Sequence, residues 1–142
     1  MLKPLYFLLF SVALLSGCAS MQSNQSSLYD QLGGQSVIED ITKNLLDIVY
    51  ADERIAFLFE DTDRAALHET IVDQVCMETG GPCTYEGLDM VEAHSGMEIK
   101  YSEFDAFVED FILAMEASNV PFRLQNQVLA IFAPMRDDIS YQ

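Results

Sequence analysis

Hydrophobic residues recur at helical spacing over most of this chain, and this periodicity constrains the fold more than any other sequence feature. Between positions 37 and 49 they fall on one face of a helix: Val37, Ile38, Ile41, Leu45, Leu46, Ile48 and Val49. No segment shows the apolar–polar alternation of a half-buried strand. Short connections that contain glycine or proline separate the periodic stretches. The pattern therefore predicts an all-α fold.

Start and stop signals set the expected helix boundaries. Residues 28–32 predict one or two helical turns ended by Gly33-Gly34, and the sequence Ser36–Glu39 predicts a capping box for a helix that runs to about residue 50. Later helices are expected at about 52–59, at 64–78, from 88, from 102 with Ser102 in its cap, and from 121 with Pro134 disturbing its end. The side chains of Asp105, Glu109 and Asp110 are expected to face solvent.

The first 17 residues have the features of a secretion signal. Lys3 precedes an apolar run, Leu5–Leu15, that is too short to span a bilayer. The run ends in Leu15-Ser16-Gly17-Cys18, which resembles the lipobox of bacterial lipoproteins. That resemblance implies an acylated Cys18 at the new N-terminus. Because Ala19 rather than aspartate follows, it also implies anchoring in the outer membrane, facing the periplasm. The alternative is a plain secretion signal that removes Cys18.

The rest of the chain predicts a tether followed by one domain. Residues 18–27 are small and polar, and residues 28–142 are long enough for a real core. The chain has a formal net charge of −16 and no basic stripe. Such a surface argues against nucleic acid and anionic lipid head groups as partners. The expected membrane contact is therefore the lipid anchor at Cys18.

Two cysteines remain behind the leader. Between Cys76 and Cys83, the sequence Gly80-Gly81-Pro82 would end a helix and turn the chain. A chain that doubles back there could bring the two Cα atoms within the roughly 4.4–6.8 Å that a disulfide spans. We expect a disulfide in an oxidising compartment, and two inert thiols are the alternative.

One histidine lies in a setting that suits a metal ligand. His94 stands within Met90–Ile99, between hydrophobic residues and before Gly96, and an aromatic-rich amphipathic stretch follows. Neutral imidazole is the commonest metal ligand among side chains, and a haem iron needs one such nitrogen and an apolar slot. A lone histidine is more often ordinary structure, because metal sites normally bring several ligands together. The residues alone leave both interpretations open.

Several motifs, taken in order and with their spacings, resemble the group I truncated haemoglobins from Leu28 to about Ile139. They are Leu28–Gly34, Ala51–Phe59, Gly80–Gly87, Met90–Ile99, and the pairs Val120-Pro121 and Ala133-Pro134. The resemblance implies a truncated globin, a two-over-two antiparallel helical sandwich around haem b. It also implies that His94 is the proximal iron ligand, with its other ring nitrogen bonded to an acceptor such as a carbonyl one turn earlier.

The same resemblance assigns the other pocket positions. Phe59 falls where a phenylalanine stacks on the haem, and further contacts are expected from Leu67, Ile71, Met90, Met97, Ile99, Phe104, Phe107 and Phe111. The distal positions hold Leu45, Leu46, Leu67 and Ile71, so the family's usual tyrosine and frequent glutamine are absent. The candidates for a substitute polar contact are Thr70 and Gln74. His68 is either a sixth ligand or a residue at the surface or on the propionate side. Arg64 and Lys100 either bind the propionates or are solvated charges.

The function that the resemblance implies is reversible binding of a diatomic gas (O₂, NO or CO) at the iron. One alternative is an enzyme that detoxifies nitric oxide or peroxide, which would need an external reductase. Another is a haem-free helical lipoprotein that serves as an interaction module. The intact His94 argues against the haem-free protein, and the missing distal tyrosine and glutamine argue against the enzyme.

Overall fold

The computed structural model describes residues 26–142, and each regular element in that part of the chain is helical. The predicted signal peptide, Cys18 and the tether up to residue 25 lie outside the described residues. The α-helices are α1 (Leu28–Leu32), α2 (Gln35–Val49), α3 (Arg64–Glu78), α4 (Met90–Ala93), α5 (Tyr101–Ala117), α6 (Phe122–Phe132) and α7 (Arg136–Ile139). Two 3₁₀ turns lie at Ala56–Phe59 and Ala133–Met135. None of the described helices is both long and apolar enough to cross a bilayer.

Two helix pairs form the predicted two-over-two arrangement, which confirms the expected fold class. Helix α2 packs against both α3 and α5, α5 packs against α6, and α1 lies on α6. The core between them is apolar, and its largest fully buried side chains include Ile38, Ile41, Leu45, Val49 and Met115. Burying each such side chain stabilises the fold by about 1.5–3 kcal/mol.

Two of the expected helix caps are wrong. Helix α2 begins at Gln35, because Gly33 and Gly34 turn the chain sharply with φ values of 113° and 76°. Ser36 therefore lies inside the helix, and Gly34 caps it without a side-chain hydrogen bond. At α5 the cap is Lys100 rather than Ser102, since the Lys100 N–H donates to the Glu103 carboxylate over 2.8 Å.

Helix α3 begins as expected, after Asp63, whose carboxylate accepts hydrogen bonds from the N–H groups of Ala65 and Ala66. Its side chains face two different environments. Val72, Val75 and Cys76 are buried, and the residues Leu67, Thr70, Ile71 and Gln74, together with Val75, line a cavity. Helix α3 therefore contributes both to the core and to the wall of the cavity.

The structure joins Cys76 and Cys83 by a disulfide, with Cα atoms 5.8 Å apart. This bond connects the end of α3 to the loop that precedes α4. Gly81 lies inside the turn, where an added Cβ would come within 2.6 Å of both the Cys76 sulfur and the Tyr29 ring. The tight turn between the cysteines therefore depends on glycine at this position.

The expectation that Asp110 faces solvent is wrong. The residue is only 2% exposed. Helix α5 has two buried stripes, because Ala106, Asp110 and Ala114 recur four residues apart beside the phenylalanine stripe that was predicted. Only Asp105 and Glu109, the other two acidic residues expected at the surface, are exposed.

Candidate functional site

A cavity of about 330 Å³ lies where α3, α4 and α5 converge, with further walls from α2 and α6. All nine predicted haem-contact residues line it: Phe59, Leu67, Ile71, Met90, Met97, Ile99, Phe104, Phe107 and Phe111. The wall is mostly apolar, as a site for a flat apolar group would be. The structure thus brings together residues that lie far apart in the chain.

His94 also lines this cavity. It follows α4 directly as the C-terminal cap, and the Asp89 carboxylate caps the other end by accepting the Glu92 N–H over 2.8 Å. The His94 Nδ1 atom lies 2.7 Å from the carbonyl oxygen of Met90. Because a carbonyl can only accept, Nδ1 carries the proton and donates it, and in the neutral ring Nε2 keeps its lone pair. This is the carbonyl one turn earlier that a ligand histidine was expected to use.

Four phenylalanines from three segments form one aromatic side of the cavity. The ring of Phe59 stacks on Phe107 with centroids 6.4 Å apart, Phe107 lies 6.5 Å from Phe111, and Phe111 meets Phe132 edge-on at 5.9 Å. The turn that carries Phe59 is held by the Tyr50 hydroxyl, which donates to the Phe59 carbonyl over 3.2 Å. This side offers a flat apolar ligand an extended stacking surface.

The distal positions differ in their access to the cavity. Leu45, Leu67 and Ile71 line it, whereas Leu46 is fully buried and is not among the lining residues. The side chain that α2 contributes to the wall is the apolar Leu45 rather than Leu46.

Both predicted polar candidates line the cavity, and their hydrogen bonds differ in strength. The Thr70 hydroxyl donates to the Ala66 carbonyl over 2.9 Å, so its proton is already used. Among residues 26–142, the Gln74 amide donates only to sulfur atoms, over 3.6 Å to Met90 and 3.9 Å to Met135. Thioether sulfur is a weak acceptor. Gln74 is therefore the less firmly held of the two polar groups.

His68 does not line this cavity. Its Nε2 atom lies 3.3 Å from the Glu39 carbonyl oxygen. His68 lines a separate hollow between α2 and α3, together with Gln35 of α2 and with Glu69 and Asp73 of α3. This position fits the surface alternative better than a sixth ligand to an iron in the cavity.

The two predicted propionate partners, Arg64 and Lys100, are not among the residues that line the cavity. Arg64 pairs with the Asp47 carboxylate and lies over the Tyr50 ring, 5.0 Å from its centroid. Lys100 is exposed and its ammonium lies 3.4 Å from the Glu103 carboxylate. Arg64 therefore fits the surface alternative, whereas Lys100 lies beside Glu103, which lines the cavity.

The sequence interpretation missed three polar residues of the cavity wall, Thr62, Tyr85 and Glu103. The Tyr85 hydroxyl donates to the Leu88 carbonyl over 2.8 Å, and burial, with a contribution from the Asp89 carboxylate, raises the pKa of the phenol. Tyr85 lies within the Gly80–Gly87 motif, but nothing in the sequence marked it as a cavity residue. Glu103 could have been recognised as a helix-capping residue, since a glutamate at the third position of a helix commonly bonds back to the cap.

Comparison with known proteins supports a single family. Residues 27–141 match the family model described as bacterial-like globin. A group 1 truncated hemoglobin from Tetrahymena pyriformis is 29% identical over 113 residues, which cover 80% of this chain and 93% of that protein. The group 1 truncated hemoglobin from Mycolicibacterium paratuberculosis is 28% identical over 119 residues, covering 84% and 88%.

Solved structures show the same similarity. The crystal structure of truncated hemoglobin from Tetrahymena pyriformis in its Fe(III) form has a TM-score of 0.80 and 28% identity, covering 82% of this chain and all of that chain (100%). The 2/2 hemoglobin from a Synechococcus species, in the cyanomet state and with covalently attached heme, has a TM-score of 0.76 at 28% identity, covering 80% and 98%.

Proposed function

The chain belongs to the bacterial-like globin family, and from that premise we propose that it binds haem b through His94 and reversibly binds a diatomic gas there. Haem binding, and binding of a gas at the haem, follow from family membership. The axial role of His94 and an apolar distal pocket are the specific parts of the proposal. When bound, haem supplies an iron with one position for a protein nitrogen and one for the gas.

The hydrogen bond from His94 Nδ1 to the Met90 carbonyl, 2.7 Å long, is the observation that most directly supports this role. It fixes the tautomer and orientation of the ring and leaves Nε2 as a donor of electrons to a metal. The chain contains two histidines, and only His94 lines the cavity. His94 is therefore the one imidazole available to an iron bound there.

The cavity fits haem in its chemistry. Phe59 and Phe107 offer stacked rings, and Met90 and Met97 offer polarisable apolar surface beside His94. Within residues 26–142, no lysine or arginine lines the wall, so the propionates are expected to lie at the solvent edge.

The distal wall favours exchange of the gas over its retention. A hydrogen bond to a polarised dioxygen would contribute about 1–3 kcal/mol, and Leu45, Leu67 and Ile71 cannot donate one. We therefore expect O₂ to leave roughly ten-fold faster than from a pocket with such a donor, with a smaller effect on apolar CO. A nitric-oxide dioxygenase depends on retained O₂, so this wall gives the detoxifying alternative less support.

Absorption spectra of protein expressed with haem test the proposal. We expect a Soret band in the wild type, a changed band with weaker haem retention in His94→Ala, and no change in His68→Ala, because His68 lies outside the cavity. A missing Soret band in the wild type would overturn haem binding. A spectrum that His94→Ala leaves unaltered would overturn its axial role.

We further propose that the mature protein is anchored by acylation of Cys18 in the outer membrane and faces the periplasm. Two features support this location: the Leu15–Cys18 sequence, and the Cys76–Cys83 disulfide, which an oxidising compartment favours. Full-length protein with Cys18→Ser should lose membrane association in fractionated cells. A variant that still sediments with membranes would contradict the lipid anchor.

A further inference from the structure

His94 lies in a segment that has little regular structure of its own. Helix α4 has four residues, and the stretch 94–100 after it belongs to no helix. Gly96 and Glu98 in this loop have positive φ values, 80° and 49°. The Glu98 value lies in a region that residues other than glycine rarely adopt. Contacts from elsewhere in the fold must therefore hold the loop in this conformation.

The last residues of the chain provide those contacts. The N–H groups of Gly96 and Glu98 both donate to the main-chain oxygen of Gln142, over 3.0 and 3.3 Å. In return, the Tyr141 N–H donates to the Ile99 carbonyl over 2.9 Å. Ile99 is the buried loop residue that lines the cavity, so this pairing holds the loop where it forms part of the cavity wall.

The C-terminal segment, residues 140–142, is itself anchored on two sides. The Gln142 side-chain amide donates to the main-chain oxygens of Asp137, over 2.8 Å, and Ser140, over 3.2 Å. The Tyr141 ring packs edge-on against Tyr101 at the start of α5, with centroids 5.1 Å apart. The segment therefore connects the His94 loop to the base of α5 and to α7.

We propose that the C-terminal segment is a positioning element for His94: it fixes the loop that follows the imidazole and so sets the orientation of the ring towards the haem iron. The inference rests on the proposed function, because it gives the segment a role only if His94 is the axial ligand. The segment acts through three main-chain hydrogen bonds and does not itself line the cavity. Its loss should change the iron–histidine bond rather than only the stability of the fold.

The test compares the full chain with a variant that ends at Ile139, each loaded with haem. Resonance Raman spectra of the ferrous form report the iron–histidine stretch. In the shortened protein we expect that band to shift and broaden. We also expect transfer of haem to apomyoglobin to accelerate by roughly ten-fold, as the loss of one to three hydrogen bonds implies. An unchanged band together with unchanged haem transfer would overturn the inference.

Two milder variants keep the test decisive if the shortened chain fails to fold. Deleting Gln142 alone removes the acceptor shared by Gly96 and Glu98, and should shift the band in the same direction. Gln142→Ala keeps that main-chain acceptor and should shift the band less. His94→Ala separates the two proposals. If the band survives His94→Ala, the proposed function fails. If it disappears there but stays unchanged in both deletions, only the positioning role fails.

Discussion

The Oδ1 atom of Asp110 lies 3.8 Å from a guanidinium nitrogen of Arg54, although Asp110 is buried and Arg54 is exposed. The same guanidinium pairs with Asp52 at 2.7 Å and with Glu109 at 2.6 Å. Among the described residues, no group hydrogen-bonds the second Asp110 oxygen. This acidic cluster joins the segment after α2 to the middle of α5. Those regions also carry the stacked pair Phe59 and Phe107 into the cavity.

Burial is the largest cause that raises the pKa of Asp110, to about 6, and repulsion from the Asp52 carboxylate adds to it, while Arg54 acts in the opposite direction. Between about pH 4 and pH 6 the folded protein therefore binds more protons at Asp110 than the unfolded chain does. Asp110 accordingly lowers the free energy of unfolding as the pH rises through this range. Hydrogen bonds from Arg54 lower the pKa of Asp52, so Asp52 has the opposite effect and acts at lower pH.

We expect Asp110→Asn to raise the free energy of unfolding by about 1–2 kcal/mol near neutral pH, because the buried negative charge is removed. The contribution of this position that lowers the free energy of unfolding as the pH rises from about 4 to about 6 should be lost. Urea unfolding at a series of pH values measures both effects. Asp138→Asn, at an exposed site on α7, is the matched control and should follow the wild type. Parallel curves for Asp110→Asn and the wild type would contradict the assignment.

The helices were predictable because they depend on local spacing, and the set of cavity residues was predictable from the family resemblance. Apolar residues three or four apart define a helix whatever it packs against, and the segment around His94 supplied its own acceptor, the Met90 carbonyl. The resemblance then placed these helices around one site. Nine predicted contact residues line that cavity because the family fold brings those positions together.

The errors concern features that only tertiary packing decides. We expected Asp110 in solvent because the phenylalanine stripe alone accounted for the packing of α5, but the second stripe of this helix, which contains Asp110, is buried as well. Ser36 matched a capping box, yet the double glycine before it turns the chain so tightly that the helix starts earlier. His68 and Arg64 lie close to cavity residues in sequence, but their angular positions around the axis of α3 direct their side chains to other partners.

A donor placed in the distal wall should slow the release of O₂. Ile71 lines the cavity, so Ile71→Gln would add an amide there. A new hydrogen bond to polarised O₂ should reduce the O₂ dissociation rate by roughly ten-fold, and the CO rate much less. Stopped-flow displacement measures both rates. Ile71→Leu keeps the wall apolar and should resemble the wild type. Equal O₂ rates in the glutamine and leucine variants would show that the missing donor does not control retention.

The Cys76–Cys83 disulfide should stabilise the fold mainly by restricting the unfolded chain. For a loop this short, the expected contribution to the free energy of unfolding is about 2–3 kcal/mol. Urea unfolding with and without a reductant measures the contribution, and thiol titration verifies reduction. The double variant Cys76→Ala, Cys83→Ala should match the reduced wild type and be insensitive to reductant. Coincident unfolding curves for the oxidised and fully reduced wild type would contradict a stabilising role.

Gln74 tests whether any polar group already present replaces the missing distal donor. Its amide bonds only to the sulfur atoms of Met90 and Met135, which are weak acceptors. Replacing a poorly satisfied amide by an apolar group of similar shape is close to neutral for stability. We therefore expect Gln74→Leu to change the free energy of unfolding by less than about 1 kcal/mol and to leave O₂ dissociation within roughly two-fold of the wild type. Stopped-flow rates and urea unfolding provide the measurements, and Gln74→Ala shows the separate effect of empty space. O₂ release that is ten-fold faster in both variants, with CO release unchanged, would identify Gln74 as the distal hydrogen-bond donor.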